Sequence, residues 1–562
     1  MQRTCRSCTT TFPIVQADLD FYEKVSPVIG GRKFAVPSPT LCPSCRRQRR
    51  LLVMNDRHLY NDRCDRCDKT MISLYSPDKP FPVWCRECWW SDAFDPKAYG
   101  RSYDLSRPFT EQFMELQRSV PRAALNVVSN ENSEYVNQCG FSKNCYLAFN
   151  TDYSEDCYYT ANTIRSSNCV DCYATESSQL CFQCTGVIDC YFCVESRDCV
   201  NCNWVFFSTD CIACSNCFGC RNLRNKQYCF MNRQLTKEQY EQKMAQIFLG
   251  SRSMYGRAYE QAMKNWLSQP ARAAQVTSCE SVTGDHLRNC RSTFDSYDCY
   301  ENENVKFCTV TSTLKDSYDC DRGGYQSELL YEQLGSGAGA YGCLFDEHIW
   351  GNASNLLYCS VARGIRDCFG CVGMVGSYEH CILNRQYTRA EYELLVPQVI
   401  HSMESTGEWG EFFSPTASPF GYNESIAMET FPLTREQALA KGFTWCDYEP
   451  PRPQTDKVLT ASQVPDSIVQ TPDSILSWAI ECEATKKPYR IIKHEFNFYR
   501  EHSLPLPVRH PDQRHLDRIS GRNPNRLFSR RCVNCSDPIE TTYSPDRAER
   551  VYCEKCYLQT VY

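Results

Sequence analysis

The sequence predicts a multidomain chain in which zinc-ribbon modules at both ends flank two short, cysteine-rich β-solenoid units, each closed by a capping helix. Three observations lead to this prediction: C-x2-C pairs near both termini, a cysteine repeat in the middle, and a duplicated ending after that repeat. With 562 residues, the chain is also too long for a single hydrophobic core.

We expect five regions along the chain. They are a double ribbon module, a first solenoid unit, a second solenoid unit, an irregular linker with a short helix, and a second ribbon module with one intact zinc site. Their expected bounds are 1–125, 126–272, 273–404, 405–477 and 478–562.

The stretch 168–230 repeats its cysteines about every twenty-one residues, so that Cys169, Cys190 and Cys211 fall in one column. A repeat of this length cannot bury its own apolar face, and it must therefore stack on its neighbours as a solenoid. Its apolar residues lack a 3.6-residue period, and short β-prone runs alternate with Asn, Asp, Ser and Gly. The coils should therefore consist of strands and turns.

The residue before many of these cysteines is Asn or Asp, as at Asn168 and Asp171. Such residues tolerate the left-handed conformation of a turn, and the cysteine that follows is small and readily buried. The alternation predicts a coil corner followed by an inward thiol. We expect these thiols to be reduced and packed, and the alternatives are a further metal ion or redox chemistry.

The ending of the first repeat, 228–244, recurs at 380–396. Thr236 with Gln239, and Thr388 with Glu391, have the spacing of a capping box that begins a helix. Each helix would cover the open end of a solenoid, where strand edges are otherwise unpaired. Upstream, 110–120 has the pattern of an amphipathic helix capped by Thr110.

Twelve cysteines near the termini have the spacing of metal ligands. Two residues between cysteines let both thiolates of a tight turn reach one ion, and two such turns complete a tetrahedral zinc site. The candidate ligands are Cys5, Cys8, Cys42 and Cys45; Cys64, Cys67, Cys85 and Cys88; and Cys532, Cys535, Cys553 and Cys556. Because every ligand is a thiolate and no position is left open, we expect three structural Zn²⁺ sites.

The stretch CRSCTTTFPIVQADLDFYEK, followed by PTLCPSCRRQRR, resembles a bacterial zinc-ribbon family of the treble-clef type. The match covers about fifty residues and includes the two C-x2-C pairs, an FY-K motif and the basic run. The larger arrangement, with ribbons flanking a cysteine-rich repeat, is similar to bacterial multi-zinc-ribbon proteins. The resemblance implies zinc and implies no reaction.

The C-terminal region repeats the N-terminal module, but one of its metal sites has lost its ligands. Cys482, Thr485, His510 and Gln513 stand where the N-terminal module has Cys5, Cys8, Cys42 and Cys45. We expect no metal there. This half of the module should fold by packing the side chains of Tyr489, Ile491, Phe498 and Tyr499.

Arginines that directly follow Cys45 in the first module, and arginines spaced by four ahead of Cys532 in the second, are candidate nucleic-acid contacts. They are Arg46, Arg47, Arg49 and Arg50 in the first module, and Arg518, Arg522 and Arg526 in the second. A basic helix beside a ribbon suits the phosphates of nucleic acid. Alternatively, the arginines of the first module offset the charge of the thiolates or pair with nearby carboxylates, and those of the second form a solvated basic face.

These features favour a non-enzymatic zinc-binding scaffold, with nucleic acid, a ribonucleoprotein or a protein as its partner. The alternative is an enzyme that uses solenoid C-x2-C pairs for thiol redox chemistry or for an iron–sulfur cluster. No apolar segment follows Met1 and no run of eighteen apolar residues occurs, so we expect neither a secretion signal nor a membrane span. The expected location is the cytoplasm, where thiols stay reduced.

Overall fold

The computed structural model describes residues 1–451, 454–455 and 457–562. The part of the predicted linker that falls on 452, 453 and 456 lies outside them. The chain divides into two compact units. Unit 1 contains Met1–Leu125, Ala274–Tyr448 and Pro524–Leu527, and unit 2 contains Asn126–Ala273, Glu449–Asn523 and Phe528–Tyr562. Each unit thus combines a terminal module with one solenoid segment.

The α-helices of the described residues are mostly short, and seven of them, α1 to α4 and α7 to α9, belong to unit 1. In chain order they are α1 (Gln16–Val25), α2 (Pro43–Leu51), α3 (Arg86–Trp89), α4 (Phe109–Ser119), α5 (Lys237–Met244), α6 (Arg252–Ser268), α7 (Arg389–Thr406), α8 (Ile426–Thr430), α9 (Arg435–Ala440), α10 (Lys493–Glu501), α11 (Pro511–Ser520) and α12 (Glu554–Val561).

The strands of unit 1 form small pairs in the N-terminal module and parallel ladders in the solenoid. The module strands are Gln2–Thr4, Thr11–Pro13, Val28–Ile29, Arg32–Lys33, Tyr60–Arg63, Thr70–Ser73, Val83–Trp84 and Arg122–Ala123. The solenoid strands are Val276–Thr277, Glu280–Arg288, Arg291–Tyr300, Glu303–Lys306, Thr309–Ser312, Leu314–Gly323, Ser327–Glu328, Tyr331–Ser336, Glu347–Ile349, Ser354–Leu357, Ser360–Arg363, Arg366–Phe369, Val372–Val375 and Glu379–Ile382, with the antiparallel Arg385–Gln386 at the end.

Unit 2 has the same two kinds of strand. The solenoid strands are Val127–Val128, Val136–Asn137, Cys139–Gly140, Ala148–Asp152, Ala161–Ile164, Tyr173–Glu176, Thr185–Ile188, Asn203–Phe206, Ser215–Phe218 and Gln227–Phe230, again closed by an antiparallel strand, Arg233–Gln234. The remaining strands are Pro270–Arg272, Val458–Leu459, Ala479–Glu481, Pro488–Tyr489, Phe528–Arg531, Pro538–Thr541 and Arg550–Tyr552.

The predicted β-solenoid is confirmed, but its period is twelve residues rather than about twenty-one. Phe149 pairs with Ala161, Ala161 with Tyr173, and Tyr173 with Thr185, all in parallel register. The cysteines twenty-one residues apart therefore do not lie directly above one another. Twelve and twenty-one are both multiples of three, and three residues is the interval at which the backbone conformation of the coil repeats.

A left-handed residue recurs at every third position of the coil. Arg165, Asn168 and Asp171 have φ angles of 49°, 52° and 56°. A coil of twelve residues therefore has four corners, and the residue after each corner points inward, as do the fully buried Cys169 and Cys172. The predicted alternation of an Asn or Asp corner with an inward thiol is confirmed.

The inward thiols are hydrogen-bonded to the backbone of the solenoid. The Sγ atom of Cys172 lies 3.4 Å from the carbonyl oxygen of Val170 and 3.3 Å from that of Cys181 in the next coil. In unit 1, Cys299 makes the same kind of contact, with Sγ 3.4 Å from the carbonyl oxygen of Tyr297. A thiol donates such a bond only while it keeps its proton.

Each solenoid is followed by a helix that begins as the sequence indicates. The hydroxyl of Thr236 accepts the N–H of Gln239 at 3.2 Å, and that of Thr388 accepts the N–H of Glu391 at 3.3 Å. Helix α4 differs from its prediction because Thr110 does not cap it. Its first N–H groups, those of Phe109 and Thr110, donate instead to the carboxylate of Glu408, at 2.9 and 2.8 Å.

Candidate metal centres

Twelve cysteines converge in three groups of four. Within each group, all four sulfur atoms lie within 4.8 Å of one another. One sulfur–sulfur distance from each group is 3.6 Å (Cys8 to Cys42), 3.8 Å (Cys67 to Cys85) and 3.7 Å (Cys535 to Cys553). A tetrahedron of metal–sulfur bonds of about 2.3 Å separates its sulfurs by about 3.8 Å, whereas a disulfide bond is about 2.05 Å long. The three groups therefore have the spacing of metal ligands.

The first C-x2-C turn has the same backbone conformation in all three groups. In the second group, Cys64 N–H donates to the carbonyl of Lys69 at 2.9 Å, and Asp68 N–H donates back to that of Cys64 at 2.9 Å. Asp68 is left-handed, with φ of 58°. The equivalent residues after the other two turns, Thr9 and Ser536, have φ of 61° and 65°. This conformation brings the two thiols of the turn close together, on the side where the other two sulfurs of the group lie.

The second C-x2-C pair of each group begins a helix. Cys42, Cys85 and Cys553 are the N-cap residues of α2, α3 and α12. The positive end of a helix dipole and its unpaired N–H groups stabilise a nearby thiolate. At Cys42 the pKa is lowered, which favours the charged form that binds a metal ion, whereas burial and neighbouring thiols raise the pKa of Cys85 and that of Cys553.

Hydrogen bonds also favour the thiolate in each group. A hydrogen bond from Cys45 lowers the pKa of Cys42 to about 6. Burial raises the pKa of Cys64, but backbone N–H donors, including that of Cys85 at 3.2 Å, outweigh it and bring the pKa to about 7. The same balance brings the pKa of Cys532 to about 6.

The fourth C-x2-C position has kept its turn and lost its ligands. Cys482 N–H donates to the carbonyl of Lys487 at 2.9 Å, and Lys486 N–H donates to that of Cys482 at 3.0 Å. Lys486 is left-handed, with φ of 61°. Thr485 replaces the second thiol, and its N–H donates to the sulfur of Cys482 at 3.4 Å. The packing residues predicted for this half, Tyr489, Ile491, Phe498 and Tyr499, are all buried.

The solenoid thiols do not form comparable groups. Within the described residues, His, Cys, Asp and Glu side chains converge as possible metal ligands in three places, and all three are the terminal groups. All forty cysteines lie in the described part of the chain, and none of them forms a disulfide.

In unit 1, the four arginines predicted as nucleic-acid contacts lie against carboxylates of the solenoid instead. Arg46 and Arg50 are 1% and 0% exposed, and both bind Asp319, at 2.7 and 3.1 Å. Arg50 also binds Asp321 at 2.9 Å and Glu332 at 3.0 Å. Arg46 and Arg50 thus pair with nearby carboxylates, which is the alternative arrangement considered from the sequence.

The other two arginines of α2 have the same partners. Arg47 binds Asp321 at 3.0 Å, and Arg49 binds Glu332 at 3.2 Å and Glu411 at 2.6 Å. We call this contact between α2 and the residues Asp319, Asp321 and Glu332 the unit 1 interface.

Unit 2 repeats this contact with different residues. Arg514 binds Asp171 and, at 3.4 Å, Glu495, while Arg518 binds Asp171 at 2.8 Å. Arg518 was predicted to bind nucleic acid, and its side chain is 8% exposed. The guanidinium of Arg522 lies 5.1 Å from the centre of the Tyr173 ring. Arg526, the remaining candidate, belongs to unit 1 and is exposed.

The carboxylates that receive these arginines were not identified from the sequence. Asp171 and Asp319 were visible only as corner residues before Cys172 and Cys320, and both are left-handed as that position requires. The negative charge of these residues indicates an arginine partner only weakly, because uncharged Asn occupies such corners equally well.

Comparison with known proteins does not assign the chain to a family. No family model matches the chain, and no curated protein matches it. Among solved structures, the chain is similar to a presumed acetyltransferase from Desulfovibrio desulfuricans G20, with 7% identity over 47% of this chain and 72% of the other, and a TM-score of 0.10. A score this low supports no conclusion about fold or activity. No helix of the described residues is long and apolar enough to cross a membrane.

Proposed function

We propose that this protein is a non-enzymatic zinc-binding scaffold in which three closed zinc sites hold the terminal modules and the solenoids present a rigid surface to a partner. The observation behind this proposal is the convergence of four thiols in each of three groups. Four thiolates fill a tetrahedral zinc ion and leave no position for a substrate. Sites of this kind stabilise structure rather than catalyse.

The solenoid supports the scaffold role. Its interior is filled by side chains such as Cys169, Cys184 and Cys199, all 0% exposed. A repeat stack with a packed interior presents an extended outer surface. Forty cysteines that form no disulfide also suit a reducing compartment, and we propose the cytoplasm.

The enzyme alternative has less support. A redox thiol needs solvent access and a lowered pKa. Cys229 and Cys381, which precede α5 and α7, are 2% and 0% exposed, so neither thiol has solvent access. A hydrogen bond with Cys217 lowers the pKa of Cys229, and the hydrogen bond to Cys368 raises the pKa of Cys381. A protein is the partner we propose, because the arginines of α2 and α11 already bind carboxylates within their own units.

Elemental analysis of the purified chain tests the metal sites. We expect three zinc ions and no iron for each chain, and two zinc ions in the variant Cys64→Ser/Cys67→Ser. The matched control, Cys169→Ser/Cys172→Ser, changes a solenoid C-x2-C pair and should keep all three. Iron in the purified protein, or loss of metal from the control, would favour the enzyme.

The partner is tested by what copurifies with the chain at low salt. We expect protein that survives nuclease treatment. Nucleic acid released as salt is raised from 50 to about 200 mM would instead identify nucleic acid as the partner, because phosphate contacts weaken steeply with salt.

A further inference from the structure

Helix α2 joins a candidate metal centre directly to a buried interface. Cys42 is its N-cap residue, and Cys45 lies in its first turn. Arg46, the next residue, and Arg50, one turn later, are the most deeply buried arginines of the unit 1 interface. The thiols hold the start of this short helix, while Gln48, which donates to the hydroxyl of Tyr422 at 2.7 Å, and the buried Leu51 hold its later part.

The unit 1 interface gains little stability from its charges alone. Moving guanidinium and carboxylate groups out of water costs nearly as much free energy as their attraction returns. The pairing is favourable only when the partners are already held in place, because ordering flexible side chains adds a further cost. Whatever fixes α2 therefore decides whether the interface stays closed.

Unit 2 makes the equivalent contact without a complete set of thiols. Helix α11 carries Arg514 and Arg518, which bind Asp171. Its N-cap residue is His510, whose Nδ1 accepts the N–H of Asp512 at 3.2 Å. The hydroxyl of Tyr499 also accepts from Arg514, at 3.1 Å. The chain thus contains one such interface beside a complete group of four thiols and one without such a group.

We infer that the metal ion of the first cysteine group controls the unit 1 interface: metal loss frees α2 and exposes Arg46–Arg50 and their carboxylate partners, while the interface of unit 2 stays closed. This inference rests on the metal binding proposed above. Without an ion, only weak thiol hydrogen bonds join these four sulfurs, such as the contact of 3.6 Å between Cys8 and Cys42. The two ends of the chain then respond differently to the same loss of metal.

Chemical labelling of carboxylates in the full chain tests the inference. Carbodiimide coupling of glycinamide, read by mass spectrometry, reports the exposure of Asp319, Asp321 and Glu332. In Cys42→Ser/Cys45→Ser, and in the wild type treated with a zinc chelator, we expect these residues to label faster by about tenfold or more, as local opening allows. Asp171 should stay protected, and zinc returned to the chelated protein should restore protection of the others.

Trypsin gives a second measurement, because it cleaves after arginine. Metal loss should allow early cleavage within Pro43–Leu51 and should leave Pro511–Ser520 intact. A matched variant, Cys532→Ser/Cys535→Ser, loses the third metal ion instead, and its unit 1 interface should behave like that of the wild type.

The outcomes separate this inference from the proposal on which it rests. A purified chain without zinc would overturn both. A variant that loses one zinc ion while Asp319, Asp321 and Glu332 stay protected would overturn the inference alone. Simultaneous exposure of Asp171 would also overturn it, because the opening would not be confined to unit 1.

Discussion

A buried carboxyl group in the unit 1 solenoid shows how burial changes the chemistry of one residue. Asp346 is 0% exposed and stands at an inward position, where most coils place an apolar residue or a thiol. Its Oδ1 accepts the N–H of Cys359 at 2.5 Å, and its Oδ2 has no hydrogen-bond partner. Burial raises the pKa of Asp346 well above its usual value, which favours the protonated carboxyl in the folded chain.

We predict that Asp346→Asn stabilises the protein increasingly as pH rises. The unfolded aspartate loses its proton near pH 3.9. Because the folded state keeps that proton to higher pH, the wild type loses stability as pH rises from the unfolded pKa through the raised folded pKa. Asparagine has no proton to lose, so its advantage should grow by about 1.4 kcal/mol for each pH unit in this range.

Urea unfolding at pH 5, 6 and 7 measures this difference. Asp92→Asn, at an exposed residue, serves as the control and should follow the wild type at each pH. Parallel stability curves for Asp346→Asn and the wild type would show that the carboxyl is charged in the folded state.

At the scale of the coil, corner residues determine the shape of the solenoid. Asn201 is exposed and left-handed, with φ of 52°, whereas Asn203, two residues later, is an exposed residue of the strand Asn203–Phe206. Both are asparagines on the same coil, so backbone conformation is the main difference between them. A β-branched residue is strained at the first position and suits the second.

Asn201→Val should therefore destabilise the protein by about 1–2 kcal/mol. Asn203→Val should change stability by less than about 0.5 kcal/mol, because a surface substitution at a compatible backbone position has little effect. Thermal unfolding of both variants gives the comparison. Equal shifts in Tm would mean that the corner conformation is not required.

At the scale of the whole molecule, each unit brings together segments that are far apart in the chain. Arg50 and Asp319 bind each other across 269 residues of sequence. The first terminal module thus shares a unit with the second solenoid segment, and the second terminal module shares a unit with the first solenoid segment.

Arg50→Met should lower the free energy of unfolding by about 3–5 kcal/mol, because it leaves Asp319 and Asp321 as buried charges with one partner fewer. The matched control is Arg63→Met. Arg63 pairs with Asp68 at 2.8 Å, but both side chains are exposed, so the loss should be below about 1 kcal/mol. Urea unfolding followed by tryptophan fluorescence measures both, and similar losses would show that the buried pairs contribute no more than a surface pair.

Local patterns predicted much of this architecture. The C-x2-C spacing identified the twelve thiols that converge, because a tight turn and a helix N-terminus are local structures. The alternation of Asn or Asp with Cys identified corners and inward positions for the same reason. The coil length could not be predicted from cysteine columns, since every third residue points inward and any multiple of three aligns cysteines equally well.

The amino-acid sequence by itself therefore determined the thiol groups, the solenoid and the helices that follow it, because each depends on residues close together in the chain. Only the tertiary structure decided that a coil closes after twelve residues and that the arginines of α2 and α11 bind carboxylates. The physical reason is that a charged side chain finds its partner through folding, and the partner of Arg50 lies on a coil that the sequence near Arg50 does not specify.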